Sequence, residues 1–194
     1  MFVKVGVVVA AGILLSACQT VPEKMPVQEI VKVESPIIYK KQDVPVKKQG
    51  FEAFLEEAEN QATPEGRAVL KTGRSMVLQE KSVIRGSCWD YANAIYNRAG
   101  FHNPKTDRQV VFTGSNHGPF ARPEWIKPGD FLSHVNHSHH ESVHSAIFVG
   151  WHDFAQQQAI MLSYAGERKA QPARYKVYDL SNVYQIVRPK DTQS

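Results

Sequence analysis

Hydrophobic positions from Phe51 onward recur with helical spacing. They predict a short amphipathic helix from Phe51 to about Ala58, with glutamates on its polar side. A second helix is predicted to about Glu80, because Thr63 is a good N-cap and Pro64 suits the first helical position. The first part of the folded region is therefore predicted to be helical.

A third helix is predicted from Cys88 to about Ala99. Cys88, Ala92, Ile95 and Ala99 share one face at helical spacing, and Gly100 is a suitable residue to end the helix. Cys88 is therefore expected at the start of a helix.

After a long polar connection over residues 101–125, the pattern changes to strands. Short runs rich in β-branched and aromatic residues, separated by turns, predict five strands. They are residues 131–135, 143–151, 159–164, 173–180 and 183–188. Sequential strands after a helical half predict an α+β fold, with N-terminal helices packed on a five-stranded, mainly antiparallel sheet.

The N-terminus carries the pattern of an export signal over residues 1–17. Lys4 is followed by the apolar run 5–15, which is too short for a permanent transmembrane helix. The sequence Leu-Ser-Ala-Cys that ends at Cys18 resembles the bacterial lipobox, which implies a lipid on the Cys18 thiol. By resemblance to Gram-negative lipoproteins, Gln19 after it, in place of Asp, implies an outer-membrane lipoprotein that faces the periplasm.

Residues 18–50 contain four prolines and no stable apolar period, which predicts an extended tether. The remaining residues, 51–194, suffice for one domain, which we expect to be monomeric. The net charge of +4 is mild and the basic residues are dispersed, which argues against nucleic acid as a partner.

If Cys18 is lipidated, Cys88 has no partner for a disulfide in an exported protein. Such a thiol is either a small buried apolar group or a nucleophile. The thiolate is the reactive form, and a helix N-terminus or a nearby imidazolium favours it. His144, on a predicted central strand, can supply the imidazolium if that strand packs beside the helix start.

Several motifs together resemble the NlpC-type cell-wall cysteine peptidases, with the CHAP amidases as close relatives. These motifs are Cys88 at a helix start, Lys-Pro-Gly-Asp-Phe at 127–131, His-Ser-Ala-Ile-Phe-Val-Gly at 144–150 and a terminal Val-Arg-Pro. The resemblance covers roughly residues 84–189. Ser-Cys-Trp stands where the peptidases usually have Asp-Cys-Ser, which is nearer the amidase pattern.

The resemblance implies a papain-like fold and hydrolysis of peptidoglycan without a cofactor. The bond cut would be an amide in or at the base of the stem peptide, through an acyl-enzyme on Cys88 with His144 as its partner. The third catalytic position falls on Ser163, where the family commonly has histidine. Tyr164 and Glu167 are the alternatives, and strand alternation allows at most one of Ser163 and Tyr164 to face His144.

Two other functions remain open at this stage. Five closely spaced histidines suggest a metal-binding protein, although the zincin motif is absent and we assign no metal ligand. These histidines are His134, His137, His139, His140 and His144. The tether and the basic charge also fit a wall-binding lipoprotein without catalytic activity.

Overall fold

The computed structural model describes residues 48–191, which form an α+β fold of three α-helices and a six-stranded antiparallel sheet. A single π-helical turn, Ser75–Gln79, extends the second helix. The elements are α1 Lys48–Gln61, α2 Pro64–Arg74, α3 Cys88–Arg98, β1 Arg108–Thr113, β2 Phe131–Asn136, β3 Ser142–Asp153, β4 Gln158–Ser163, β5 Arg174–Asp179 and β6 Val183–Pro189.

The sheet has the order β1-β6-β2-β3-β4-β5, and every neighbouring pair is antiparallel. β2, β3, β4 and β5 follow one another as hairpins, whereas β6 returns to pair with β2. Opposite His144 on β3 lies His134 on β2, and opposite Ala146 lies Ser163 on β4. The register therefore gathers polar residues at the beginning of β3.

Side chains of the sheet alternate between two hydrophobic cores. Ile147 and Val149 of β3 pack with the helices in one core, which we call the helix-side core. Ala146 and Phe148 belong to a second core on the other face of the sheet. His144 precedes Ala146 by two residues, so it shares the face of the second core.

Close packing explains two glycines where α2 meets the sheet and the turn before it. Gly129 has a φ of +93°, and a Cβ there would lie 2.5 Å from the Cα of Gly66 in α2. In the middle of the same helix, a Cβ on Gly73 would lie 2.7 Å from Leu162 Cδ1. Gly73 weakens the helix in isolation, but it allows α2 to pack tightly against β4.

The helices and five of the strands agree with the sequence analysis, apart from shifts at their ends. The expectation of five strands is wrong, because the segment treated as part of a polar connection contains β1. Its run Arg-Gln-Val-Val-Phe-Thr is rich in strand-forming residues, but it pairs only with β6, from the far end of the chain. Helix α1 also begins at Lys48, three residues inside the predicted tether.

The export signal and Cys18 lie outside the described residues. Among residues 48–191, no helix combines the length and the apolar composition needed to cross a membrane.

A buried ion pair joins the turn before β2 to the last strand. The Asp130 carboxylate is 1% exposed, and it accepts hydrogen bonds from Arg188 Nε at 2.8 Å and Nη2 at 2.7 Å. The backbone N–H of Lys127 donates to the same carboxylate at 2.7 Å. Burial raises the pKa of Asp130, while the Arg188 guanidinium opposes that shift.

Replacing the arginine of this pair is expected to leave an unpaired buried carboxyl group. Arg188→Met should lower the free energy of unfolding by about 3–5 kcal/mol in urea titrations. Arg98→Met removes an arginine from the exposed Arg98–Glu80 pair, and it should cost much less, because water and salt screen exposed charges. Equal losses of unfolding free energy in the two variants would contradict a structural role for the buried Asp130–Arg188 pair.

Candidate active site

Cys88 is the first residue of α3, and the turn before it is closely fitted to the helix. Asp90 Oδ2 accepts hydrogen bonds from the backbone N–H and the hydroxyl of Ser87, both at 2.7 Å. Gly86 has a φ of +111°, and a Cβ there would lie 2.4 Å from Asp90 Oδ2. The partly exposed Cys88 thiol is thus held at a well-defined helix start.

Two of the three candidates for the third catalytic position have structural contacts instead. Glu167 Oε2 accepts a hydrogen bond from Gly86 N at 3.1 Å, and Glu167 N donates to Gly86 O at 2.9 Å. Tyr164 OH donates to Ile84 O at 2.7 Å, and its ring stacks on Tyr91. Both residues hold the segment that leads into Cys88, and neither is bonded to His144.

Ser163 is the candidate that reaches His144. His144 Nε2 and Ser163 Oγ are hydrogen-bonded at 2.8 Å, and Ser163 Oγ is hydrogen-bonded in turn to Tyr178 OH at 2.8 Å. The rings of His144 and Tyr178 stack with centroids 5.3 Å apart. Ser163 and Tyr178 therefore fix the orientation of the imidazole.

Cys88 and His144 line one open cleft of about 690 Å³ that runs past the adjoining ends of β3 and β4. They approach it from different sides, because Cys88 continues the buried face of α3 formed by Tyr91, Ala92 and Ile95. Among the described residues, no hydrogen bond reaches Cys88 Sγ, and His144 Nδ1 also has no partner. The cleft brings the two groups into one space without joining them directly.

The charge state of His144 differs from the expected imidazolium. Burial, with smaller contributions from nearby Lys176 and His139, lowers the pKa of His144 to about 4. The imidazole is therefore neutral at pH 7 in the unliganded protein. It has a free nitrogen that can accept a proton, but so low a pKa makes it a weak base in the unliganded protein, and it does not supply a permanent positive charge beside the thiol.

Other polar residues in the neighbourhood of Cys88 did not emerge from the sequence motifs. Ser133 and Ser145 lie opposite each other on β2 and β3, with their hydroxyl oxygens 3.3 Å apart. Burial raises the pKa of Tyr184, and nearby Cys88 contributes to that rise. Strand alternation could have predicted the face of β5 on which Tyr178 lies. Its contact with Ser163 follows only from the register of the folded sheet.

The five histidines do not form one group. His134 and His144 face each other across β2 and β3, whereas the other three lie in the exposed hairpin between these strands. His137 is bonded to Glu141 and Asn182, and the Glu141 hydrogen bond raises its pKa. Within the described part of the chain, no three histidine, cysteine, aspartate or glutamate side chains converge to hold a metal ion.

Comparisons with protein-family models, curated proteins and solved structures find no significant match to this chain.

His134 is completely buried, and it lies beside His144 on the neighbouring strand. Its ring meets those of His144 and Tyr178 edge to face, with centroids 5.5 and 5.3 Å away. Neither ring nitrogen of His134 has a hydrogen-bond partner among the described residues. Burial, assisted by His144 and His137, lowers the pKa of His134 to about 3.

This burial predicts that stability decreases in mild acid. The unfolded chain takes up the proton near pH 6.5 and the folded protein only near pH 3, so stability falls as the pH drops between these values. The contribution of His134 approaches about 1.4 kcal/mol per pH unit. Between pH 6 and pH 4, His134→Phe should reduce the slope of the unfolding free energy against pH by up to about 1.4 kcal/mol per pH unit, and His144 should account for part of the slope that remains.

The matched control is His152→Phe, because His152 is an exposed residue farther along β3. It should leave the pH dependence unchanged. If the unfolding free energy of His134→Phe depended on pH as steeply as that of wild type, the buried His134 would not be the cause of the loss of stability in acid.

Proposed function

We propose that this protein is a peptidoglycan hydrolase, a cysteine peptidase or amidase that acts through an acyl-enzyme on Cys88. The observation that carries the proposal is one cleft lined by a cysteine at a helix start and by a histidine oriented through Ser163. Nucleophilic cysteine hydrolases require these three groups: a thiol, a base and a residue that orients the base. Peptidoglycan as the substrate comes from the motif resemblance.

The proposed roles follow from which atoms are already engaged. Because Nε2 of His144 is held by Ser163, Nδ1 is the nitrogen that faces the reaction. Nδ1 takes the thiol proton of Cys88 while Sγ attacks the carbonyl carbon of the scissile amide. The imidazolium then donates that proton to the leaving amine as the C–N bond breaks, which leaves a thioester.

Water completes the cycle. His144 Nδ1 removes a proton from the water as its oxygen attacks the thioester carbon, and the thiolate that leaves recovers the proton. The free backbone N–H groups at the start of α3 are suited to stabilise the negative oxygen in both steps. Because α3 packs on one face of the sheet and His144 lies on the other, the proposed proton transfer requires the start of β3 and the start of α3 to move on substrate binding, until Sγ and Nδ1 are within about 3 Å.

The same proposal includes the fold family and the location. Helix α3 packed against an antiparallel sheet, with its first residue at a cleft, supports a variant of the papain-like fold. The sequence of residues 1–18 supports a lipoprotein anchored through Cys18, facing the periplasm from the outer membrane. The tether would let a monomeric domain reach the wall while its lipid stays in the membrane.

Digestion of purified sacculi tests the enzymatic proposal. The full-length protein should release fragments whose masses show new termini at an amide bond, and Cys88→Ala should abolish their release. Ser163→Ala should slow release by about 10- to 100-fold, because water can partly replace an orienting hydroxyl but not the nucleophile.

Ser138→Ala is the matched control for Ser163→Ala. Ser138 also lines the cleft, but its hydroxyl bonds only to the Asn136 side chain among the described residues. Its substitution should leave the rate unchanged. Wild-type protein that binds sacculi without releasing fragments would contradict the enzyme and favour the wall-binding alternative.

A further inference from the structure

The cleft has an excess of positive charge on one side. Its basic side chains come from β5 and from the loop between β4 and β5, and all four residues are exposed. They are Arg168, Lys169, Arg174 and Lys176. The two acidic residues that line the cleft, Asp90 and Glu167, already accept hydrogen bonds from the turn before Cys88.

None of these four cations belongs to an ion pair among the described residues. The ion pairs found there involve other basic residues, on the helices, in the β2–β3 hairpin and on β6. With four cations against the two carboxylates of Asp90 and Glu167, the lining of the cleft keeps an excess of positive charge.

Two of the cations lie beside the residues that orient His144. Arg174 is directly opposite Ser163 in the β4–β5 register, and therefore on the same face of the sheet. Lys176 Nζ lies 5.1 Å from the centre of the Tyr178 ring, which itself stacks on His144. The effect of Lys176 on the pKa of His144 agrees with this proximity.

We propose that Arg174 and Lys176 form a carboxylate-binding subsite that holds a peptide substrate beside His144. Arg174 can bind a carboxylate through two parallel hydrogen bonds, and Lys176 adds a mobile positive charge next to it. The cleft volume suits a short peptide. The inference rests on the proposed function, because stem peptides of the cell wall carry free carboxylates.

Binding measurements on full-length Cys88→Ala protein test this subsite without catalysis. The probes are a stem peptide isolated from sacculi and the same peptide with its carboxylates converted to amides. Calorimetry should show that the acidic peptide binds about tenfold more tightly, the size expected for one charge-assisted contact. Adding Arg174→Gln and Lys176→Gln should remove this difference between the peptides.

The control protein carries Lys105→Gln and Lys190→Gln, which remove the same charge from exposed positions that do not line the cleft. It should keep the preference for the acidic peptide. If this control lost the preference, the tighter binding of the acidic peptide would depend only on the net charge of the protein, and the subsite proposal would be wrong. Retention of the preference after Arg174 and Lys176 are replaced would also overturn it.

Glycerol phosphate serves as a third probe. If it binds as tightly as the acidic peptide and depends on the same two residues, the site is a phosphate site and the carboxylate assignment is wrong. If the acidic peptide binds as expected but wild-type protein releases no fragments from sacculi, the subsite stands and the hydrolase proposal fails. The two proposals are thereby tested separately.

Discussion

The buried hydroxyl of Tyr96 fixes where α3 lies on the sheet, and the position of Cys88 depends on it. Tyr96 is fully buried, and its hydroxyl accepts a hydrogen bond from Phe131 N at 3.1 Å. Its single proton can point to the carbonyl of Gly129 or to that of Val187, each 2.9 Å away. One side chain of α3 thereby contacts the turn before β2, the first residue of β2 and the last strand.

The burial of polar groups around the cleft is the second constraint. The sheet places His134 and His144 where charge is unfavourable, so both are neutral when the protein is folded at pH 7. A neutral imidazole with one nitrogen held by Ser163 is oriented to accept a proton. The site is therefore organised before substrate arrives, but its pair of reacting groups is not yet joined.

Local patterns predicted the helices, the start of α3 and the five strands from β2 to β6, because capping residues and periodicity are encoded nearby in the sequence. Strand alternation also limited the choice between Ser163 and Tyr164. Strand β1 was missed because it pairs with β6, whose sequence lies about 70 residues away. The contacts of Tyr178, Glu167 and Tyr96 likewise depend on register and on packing between distant segments, which no local pattern contains.

The alkylation rate of Cys88 by a stem peptide that carries an iodoacetyl group, with and without His144, is the most direct test of a Cys88–His144 pair. Wild-type protein should react with this peptide at pH 7 at least about tenfold faster than His144→Gln, because the bound peptide brings the imidazole to the thiol, from which it removes the proton. Equal unfolding free energies would establish that both proteins are intact. Equal alkylation rates, or an inert Cys88 in wild type, would show that these residues are not a catalytic pair.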